Sequence, residues 1–243
     1  ESGLYVSTDT NTGDPTYYFR GNVENNYVSF AGFTWRIIRI NEDGTIRIVM
    51  QDVINNNTKY KFNSNYNNYT YMYYTNSEAK TTLESWYQTN IRSKSVLAKN
   101  VASGNYYCEQ AKAKGYSSWT SGNTNMTVYS SYTPDFKCSS DGNGKGLVNA
   151  IVGLLSYDEV VYAGGYYNQN NSNYYLNNPA IYWWTMSPAG FASGHSIVWF
   201  VGGHINDNYV NNTAYHLRPV LILNADTQIS DGDGTINSPF IVK

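Results

Sequence analysis

Apolar residues fall along this chain in short alternating runs, divided by segments made largely of Asn, Gly, Ser and Asp. The first clear set is YVSF (27–30), FTWRIIRI (33–40) and TIRIVMQD (45–52), separated by Ala31-Gly32 and by Asn41-Glu42-Asp43-Gly44. An Asp-Gly pair between alternating runs marks a hairpin, because the turn needs a positive φ that Gly adopts freely. Trp35, Ile37 and Arg39 alternate with Arg36, Ile38 and Ile40. The pattern predicts a three-stranded meander whose middle strand is buried on both faces. The period then changes: Leu83, Trp86 and Tyr87 at i, i+3 and i+4 predict a helix over 77–90, capped by Asn76 or Ser77, with Trp86 in the core.

A second helix is predicted from Ser156 and Glu159, which have the spacing of a capping box, with Leu155 and Val160 placed as a hydrophobic staple. It runs to Ala163 and stops at Gly164-Gly165. Asp158 and Glu159 then sit at the positive helix end, which accounts for them without catalysis. Residues 1–16 read as a flexible lead-in, 55–75 as a long Asn/Tyr-rich surface loop, and 91–146 as irregular. Residues 17–243 are expected to form a single domain.

The stretch Ile181–Asn224 holds all three His residues and three of the six Trp. It reads as strands near 181–186, 196–201, 204–210 and 215–223, with Pro219 at an edge or bulge. His204, Asn206 and Asn208 share one face of their strand, so that face is wet or binds something. The tail reads as an Asp-Gly turn and a short closing strand.

Composition changes this picture in a few places. Charged residues make up only 14% of the chain and the net charge is -2, without the clustered Lys and Arg that phosphate binding needs, so nucleic acid is not an expected partner. Asn is the commonest residue and Tyr occurs 25 times, a balance that resembles extracellular proteins and antibody-like paratopes. An AT-rich genome would produce part of the same bias. Cys108 and Cys138 lack the close spacing of a redox or zinc motif. In an extracellular chain they are expected to form a disulfide around the loop between them, the alternative being two buried thiols. No apolar run is long enough to cross a membrane. Asp141-x-Asn143 begins like a calcium loop but lacks its later ligands, and Gly144-Lys145 lacks the rest of a phosphate loop. No hydrolase or metalloprotease motif occurs, so no cofactor, metal or catalytic residue is expected.

The segments YVSFAGFTWRIIRI, GLLSYDEVVYAGG, YWWTMSP, HLRPVLILN and DGDGTINSPFIV together resemble a group of surface proteins from Gram-positive gut bacteria. Their C-terminal half is similar to the C-type-lectin fold shared with formylglycine-generating enzymes and with the variable proteins of diversity-generating retroelements. The resemblance implies an α+β, C-type-lectin-like fold: twisted antiparallel sheets, two short helices and long irregular loops. It also implies a ligand-binding surface just before the strand that contains Arg218-Pro219. The residues it points to are Phe191, Ser193, His195, Trp199, His204, Asn206, Asp207, Asn208, Tyr209, Asn211, Asn212 and Tyr215. The chain departs from calcium-dependent sugar-binding lectins in lacking Glu-Pro-Asn and Trp-Asn-Asp. It departs from formylglycine-generating enzymes in having no Cys in its C-terminal half.

These readings converge on an extracellular, cell-surface recognition domain, monomeric and anchored outside this chain. Its expected ligand is a protein or glycan on another cell or phage surface. Two alternatives stand beside it: a structural subunit of a surface fibre or phage tail tip, and a core role for Trp199 and Phe200 in place of a binding one.

Overall fold

The computed structural model describes residues 1–55, 58–110, 133–138 and 146–243, and the backbone of 124–125. Within them it is a mixed α+β structure, mostly sheet, with the strands β1 Gly3–Ser7, β2 Thr16–Arg20, β3 Tyr27–Phe30, β4 Phe33–Ile40 and β5 Ile46–Met50 in its N-terminal part. The middle of the chain supplies helix α1 Glu78–Tyr87, then β6 Gly104–Cys108, β7 Thr124–Asn125, β8 Leu147–Ala150 and helix α2 Tyr157–Ala163. The rest supplies β9 Trp183–Ala192, β10 His195–Val201, β11 Ile205–Tyr209, β12 Val220–Leu223 and β13 Phe240–Ile241.

The predicted meander is present and β4 is its hub. β3 and β2 follow one another along one side of β4, and β5 lies along the other. β5 in turn pairs with β12, so a strand from the C-terminal end closes the N-terminal sheet. The strict alternation expected of β4 is broken by a register shift between Ile37 and Arg39. Trp35, Arg36 and Ile38 are its buried residues. A second sheet runs β11-β10-β9-β7, and β6 pairs with β8.

Four expectations need correction. The lead-in is not loose: Gly3–Ser7 pairs residue for residue with Thr16–Arg20 and forms the outer strand of the large sheet. Its alternation is short and inverted, with the apolar Leu4 and Val6 on the solvent side, which hides its strand pattern. The segment read as a surface loop over 55–75 carries Phe62, Met72, Tyr73 and Tyr74 into the core. Its Asn63 is buried too, donating to the carbonyl of Asn76 at 2.7 Å. Buried polar groups are tolerated when they find such partners. The stretch expected to be irregular contains β6, whose partner β8 lies beyond the cysteine loop. Finally, β9 does not end at Met186 but runs through Pro188 to Ala192. Register shifts opposite Ile197, Val198 and Phe200 of β10 accommodate it, as bulges accommodate residues that cannot serve a regular ladder. Pro219 immediately precedes β12, which among the named strands pairs with β5 alone, and its carbonyl accepts from Met50 N–H.

Both helices follow their local signals. Ser77 caps α1 by accepting from Lys80 N–H, and Ala79, Leu83, Trp86 and Tyr87 form its buried face. Ser156 and Glu159 make the full capping box of α2, which ends at Gly164 with φ 125°. The core is dominated by rings: Trp35, Trp183, Trp184 and Trp199 are all fully buried. Arg218 fastens the two halves together, donating to the carbonyls of Met50 (2.7 Å), Leu176 (3.2 Å) and Gln51 (3.1 Å). Burial pushes its guanidinium down to about 10. Cys108 and Cys138 are bonded to each other. No helix among the described residues is long and apolar enough to cross a membrane. The Asp141-x-Asn143 and Gly144-Lys145 segments lie outside the described residues.

Candidate functional site

The residues singled out in the C-terminal stretch do not share one surface. Cross-strand partners in an antiparallel pair point to the same face, and here Ile197 and Trp199 pair with Tyr209 and Asp207, whereas Val198 and Phe200 pair with Asn208 and Asn206. The candidates on β11 therefore divide between two sides of the sheet. Phe191, Trp199 and Tyr215 are buried and serve as core. Trp199 packs against Tyr157 and Tyr167, and Tyr215 lies between Trp184 and Phe200.

On the Asn206 face the polar groups bond to one another. Asn170 Oδ1 lies 3.0 Å from His204 Nδ1, and Asn206 Nδ2 lies 3.4 Å from His204 Nε2. An amide oxygen can only accept and an amide nitrogen can only donate, so Nδ1 carries the imidazole proton. Asn208 Nδ2 donates to the hydroxyl of Tyr215 at 2.6 Å. The side-chain oxygens of Asn206 and Asn208 accept from the next backbone N–H, that of Asp207 (2.8 Å) and of Tyr209 (2.7 Å). These two N–H groups face away from β10 by the alternation of the ladder. The neighbouring outward N–H, on Ile205, is taken by the Tyr166 carbonyl. Amides that looked available for a ligand thus blunt the edge of a sheet. Asn212 is similarly occupied, accepting from Ala214 N–H at 2.9 Å, and Asn211 is half-buried. Asp207, half-buried, has its carboxyl raised by burial.

What remains free is a row of three rings at the far end of the sheet. β9 and β10 are joined by a tight turn at Ser193 and Gly194, both with positive φ (51° and 76°), which places His195 directly after the turn. His195 stacks on Tyr66 with centroids 4.5 Å apart and planes 9° apart, and on its other side meets Tyr209, also at 4.5 Å. Its Nδ1 lies 2.9 Å from the Ser193 carbonyl and so must donate to it, which fixes the ring. Tyr66 is held in place by its own backbone, since its carbonyl accepts from Ser196 N–H (2.8 Å) while the Ser196 hydroxyl donates to the Asn68 carbonyl (2.6 Å). Tyr66 is 38% and Tyr209 41% exposed. Sequence reasoning found His195, Tyr209 and the adjoining Ser193 but missed Tyr66. The only local hint was its place in the Asn-rich run Ser64–Asn68. The two segments that supply the row, 62–71 and 191–217, contain one charged residue, Asp207, and the Glu78 carboxylate accepts from the Ser64 hydroxyl nearby at 2.9 Å.

A different kind of concavity, of about 280 Å³, lies beside the disulfide, far from these residues in sequence. Its floor is an ion cluster. Glu159 Oε1 is 2.5 Å from Arg47 Nε and 3.3 Å from Arg39 Nε, while Oε2 accepts from Ser156 N–H. Arg47 also donates to the Tyr106 carbonyl at 2.6 Å, and Arg39 reaches Glu42 at 3.5 Å. Burial lowers the guanidinium of Arg39, Glu159 works against that, and the neighbouring Arg47 adds to it. Glu159 therefore has two jobs: it caps α2, as its position suggested, and it ties α2 to β4 and β5.

Among the described residues no group of three or more His, Cys, Asp or Glu is placed to hold a metal ion. No protein-family model matches the chain, and neither any curated protein nor any solved structure is similar to it at a significant level.

Proposed function

We propose that the chain is an extracellular recognition domain, built on a C-type-lectin-like scaffold, that binds a protein or glycan ligand through the Tyr66–His195–Tyr209 row. One observation carries this reading: His195, tied to the Ser193 carbonyl, stacks on Tyr66 and meets Tyr209 at a tilt before any ligand arrives, yet both outer rings stay more than a third exposed. Such rings offer contact area at low cost in side-chain freedom, as in antibody paratopes. Ser193, Asn65 and Asn67 around them supply adaptable hydrogen-bonding groups. The disulfide fits an oxidising compartment. The resemblance to the variable proteins of diversity-generating retroelements supports the same reading, with genetic variation expected at the tip rather than at the bonded amides of β11.

The test is adherence of the labelled protein to whole bacterial cells and phage particles, and to an oligosaccharide array, beside a Tyr66→Ala/His195→Ala/Tyr209→Ala variant. The expected outcome is at least a tenfold loss of signal in the variant. Undiminished binding by the variant rejects the site.

A second reading, a subunit of a surface fibre, is favoured by β1, an outer strand that exposes Leu4 and Val6 at 57% each. Edges of this kind invite pairing with another copy. Size-exclusion chromatography over a hundredfold range of concentration separates the two, since a recognition domain of this design elutes as a monomer throughout.

A further inference from the structure

The cleft beside the disulfide has features that the structural role of Glu159 does not use up. We propose that it is a second ligand site, for a small monocarboxylate whose charged end meets Arg39 and whose aromatic or apolar body lies against Phe136 and Tyr106. The inference is independent of the row of rings at the tip.

The charge count at the floor comes first. Two guanidiniums share a single oxygen of one buried carboxylate, because the other oxygen of Glu159 is committed to the Ser156 N–H. Among the described residues the second positive charge is answered by Glu42, at 3.5 Å and on a partly exposed side chain. Because Glu42 holds Arg39 at long range and is partly in water, a ligand carboxylate can take its place beside that guanidinium.

Donor geometry comes second. Arg39 directs Nε at Glu159 and Nη1 at Glu42 and, at 3.4 Å, at the Thr16 hydroxyl; no described residue bonds its Nη2. The guanidinium carbon lies over the Phe136 ring, 4.6 Å from its centroid. The edge of a planar guanidinium suits the two oxygens of a carboxylate.

The walls come third. Phe136, Tyr106, Leu147 and the Cys108–Cys138 bond give an apolar lining on a scale that fits a ring of benzoate size. The rim also sets a limit. Asp43 is engaged by Thr45, Asp135 by the Lys137 N–H, and Lys137 by Asp9, so the rim keeps its negative groups and a polyanion is disfavoured.

The whole protein is titrated with benzoate and, separately, with its neutral isostere benzamide. Binding is followed by calorimetry and by 15N shifts of the Arg39 side chain and the Phe136 backbone. Benzoate is expected to bind at least tenfold more tightly than benzamide, with shifts confined to the cleft. Glu42→Gln removes the competing carboxylate and is expected to tighten benzoate several-fold, whereas Arg39→Gln weakens it at least tenfold. Because Arg39→Gln disturbs a buried cluster, Glu42→Gln, at a partly exposed position, is the variant that decides. Equal affinity for the two probes, no shifts at the cleft, or unchanged or weaker benzoate binding in Glu42→Gln overturns the proposal.

Discussion

At the floor of the cleft three ionised side chains are packed where solvent hardly reaches, while at the tip three neighbouring rings are partly open to water. The first region is held by strong mutual bonds and fixes the position of α2 on the sheet. The second is held by backbone contacts and by ring packing, and leaves Tyr66 and Tyr209 more than a third exposed. The contrast shows that a polar residue is informative about binding only once its partners are known. Asn206 and Asn208 look more like ligand contacts in the sequence than Tyr66 does, yet they are bonded locally and Tyr66 is not.

The sharpest way to break this comparison is Glu159→Gln. It leaves two buried guanidiniums facing each other and should lower unfolding stability by about 3–5 kcal/mol in a urea titration. A loss below about 1 kcal/mol would show that the cluster does not hold α2 in place.

Asp207 gives a smaller effect with a defined sign. Burial raises its carboxyl, so the folded chain holds that proton more tightly than the unfolded chain does. Its contribution is most favourable in acid, below the ordinary carboxylate value, and is lost as pH rises through the raised one. Asp207→Asn should therefore gain stability relative to the parent as pH climbs from acid to neutral, measured by thermal melts across that range. A constant difference between the two would refute the assignment. The smallest effect belongs to the tip: Tyr66→Ala and Tyr209→Ala should each shift stability by no more than about 0.5 kcal/mol in the same urea titration. A larger loss would move those rings from recognition to framework.

Much of the fold was legible because its signals are local. The Asp43-Gly44 hairpin, the Ser77 cap, the Ser156/Glu159 box and the Gly164 stop each sit within a few residues of what they control. The missed parts depend on partners distant in the chain. Gly3–Ser7 becomes a strand because Thr16–Arg20 lies ready beside it, and β6 because β8 returns past the cysteine loop. The 55–75 segment looked like surface because its Asn and Tyr residues are polar by type, and only the folded chain shows that Asn63 and Tyr74 find buried carbonyl partners. At the candidate site the sequence offered twelve residues in one stretch, but strand alternation sends Asp207 and Tyr209 to one side and Asn206 and Asn208 to the other. Tyr66 comes from another part of the chain and could not be placed beside His195 without the fold.

The two asparagines of β11 have a consequence for crowding. Each plugs the hydrogen-bond donor next to it, and the outward carbonyls of Ile205 and Tyr209 already accept from the Asn168 and Asn212 N–H groups, so a passing extended chain finds few partners along that border. Copies of the chain brought side by side are then not expected to zip together through this border.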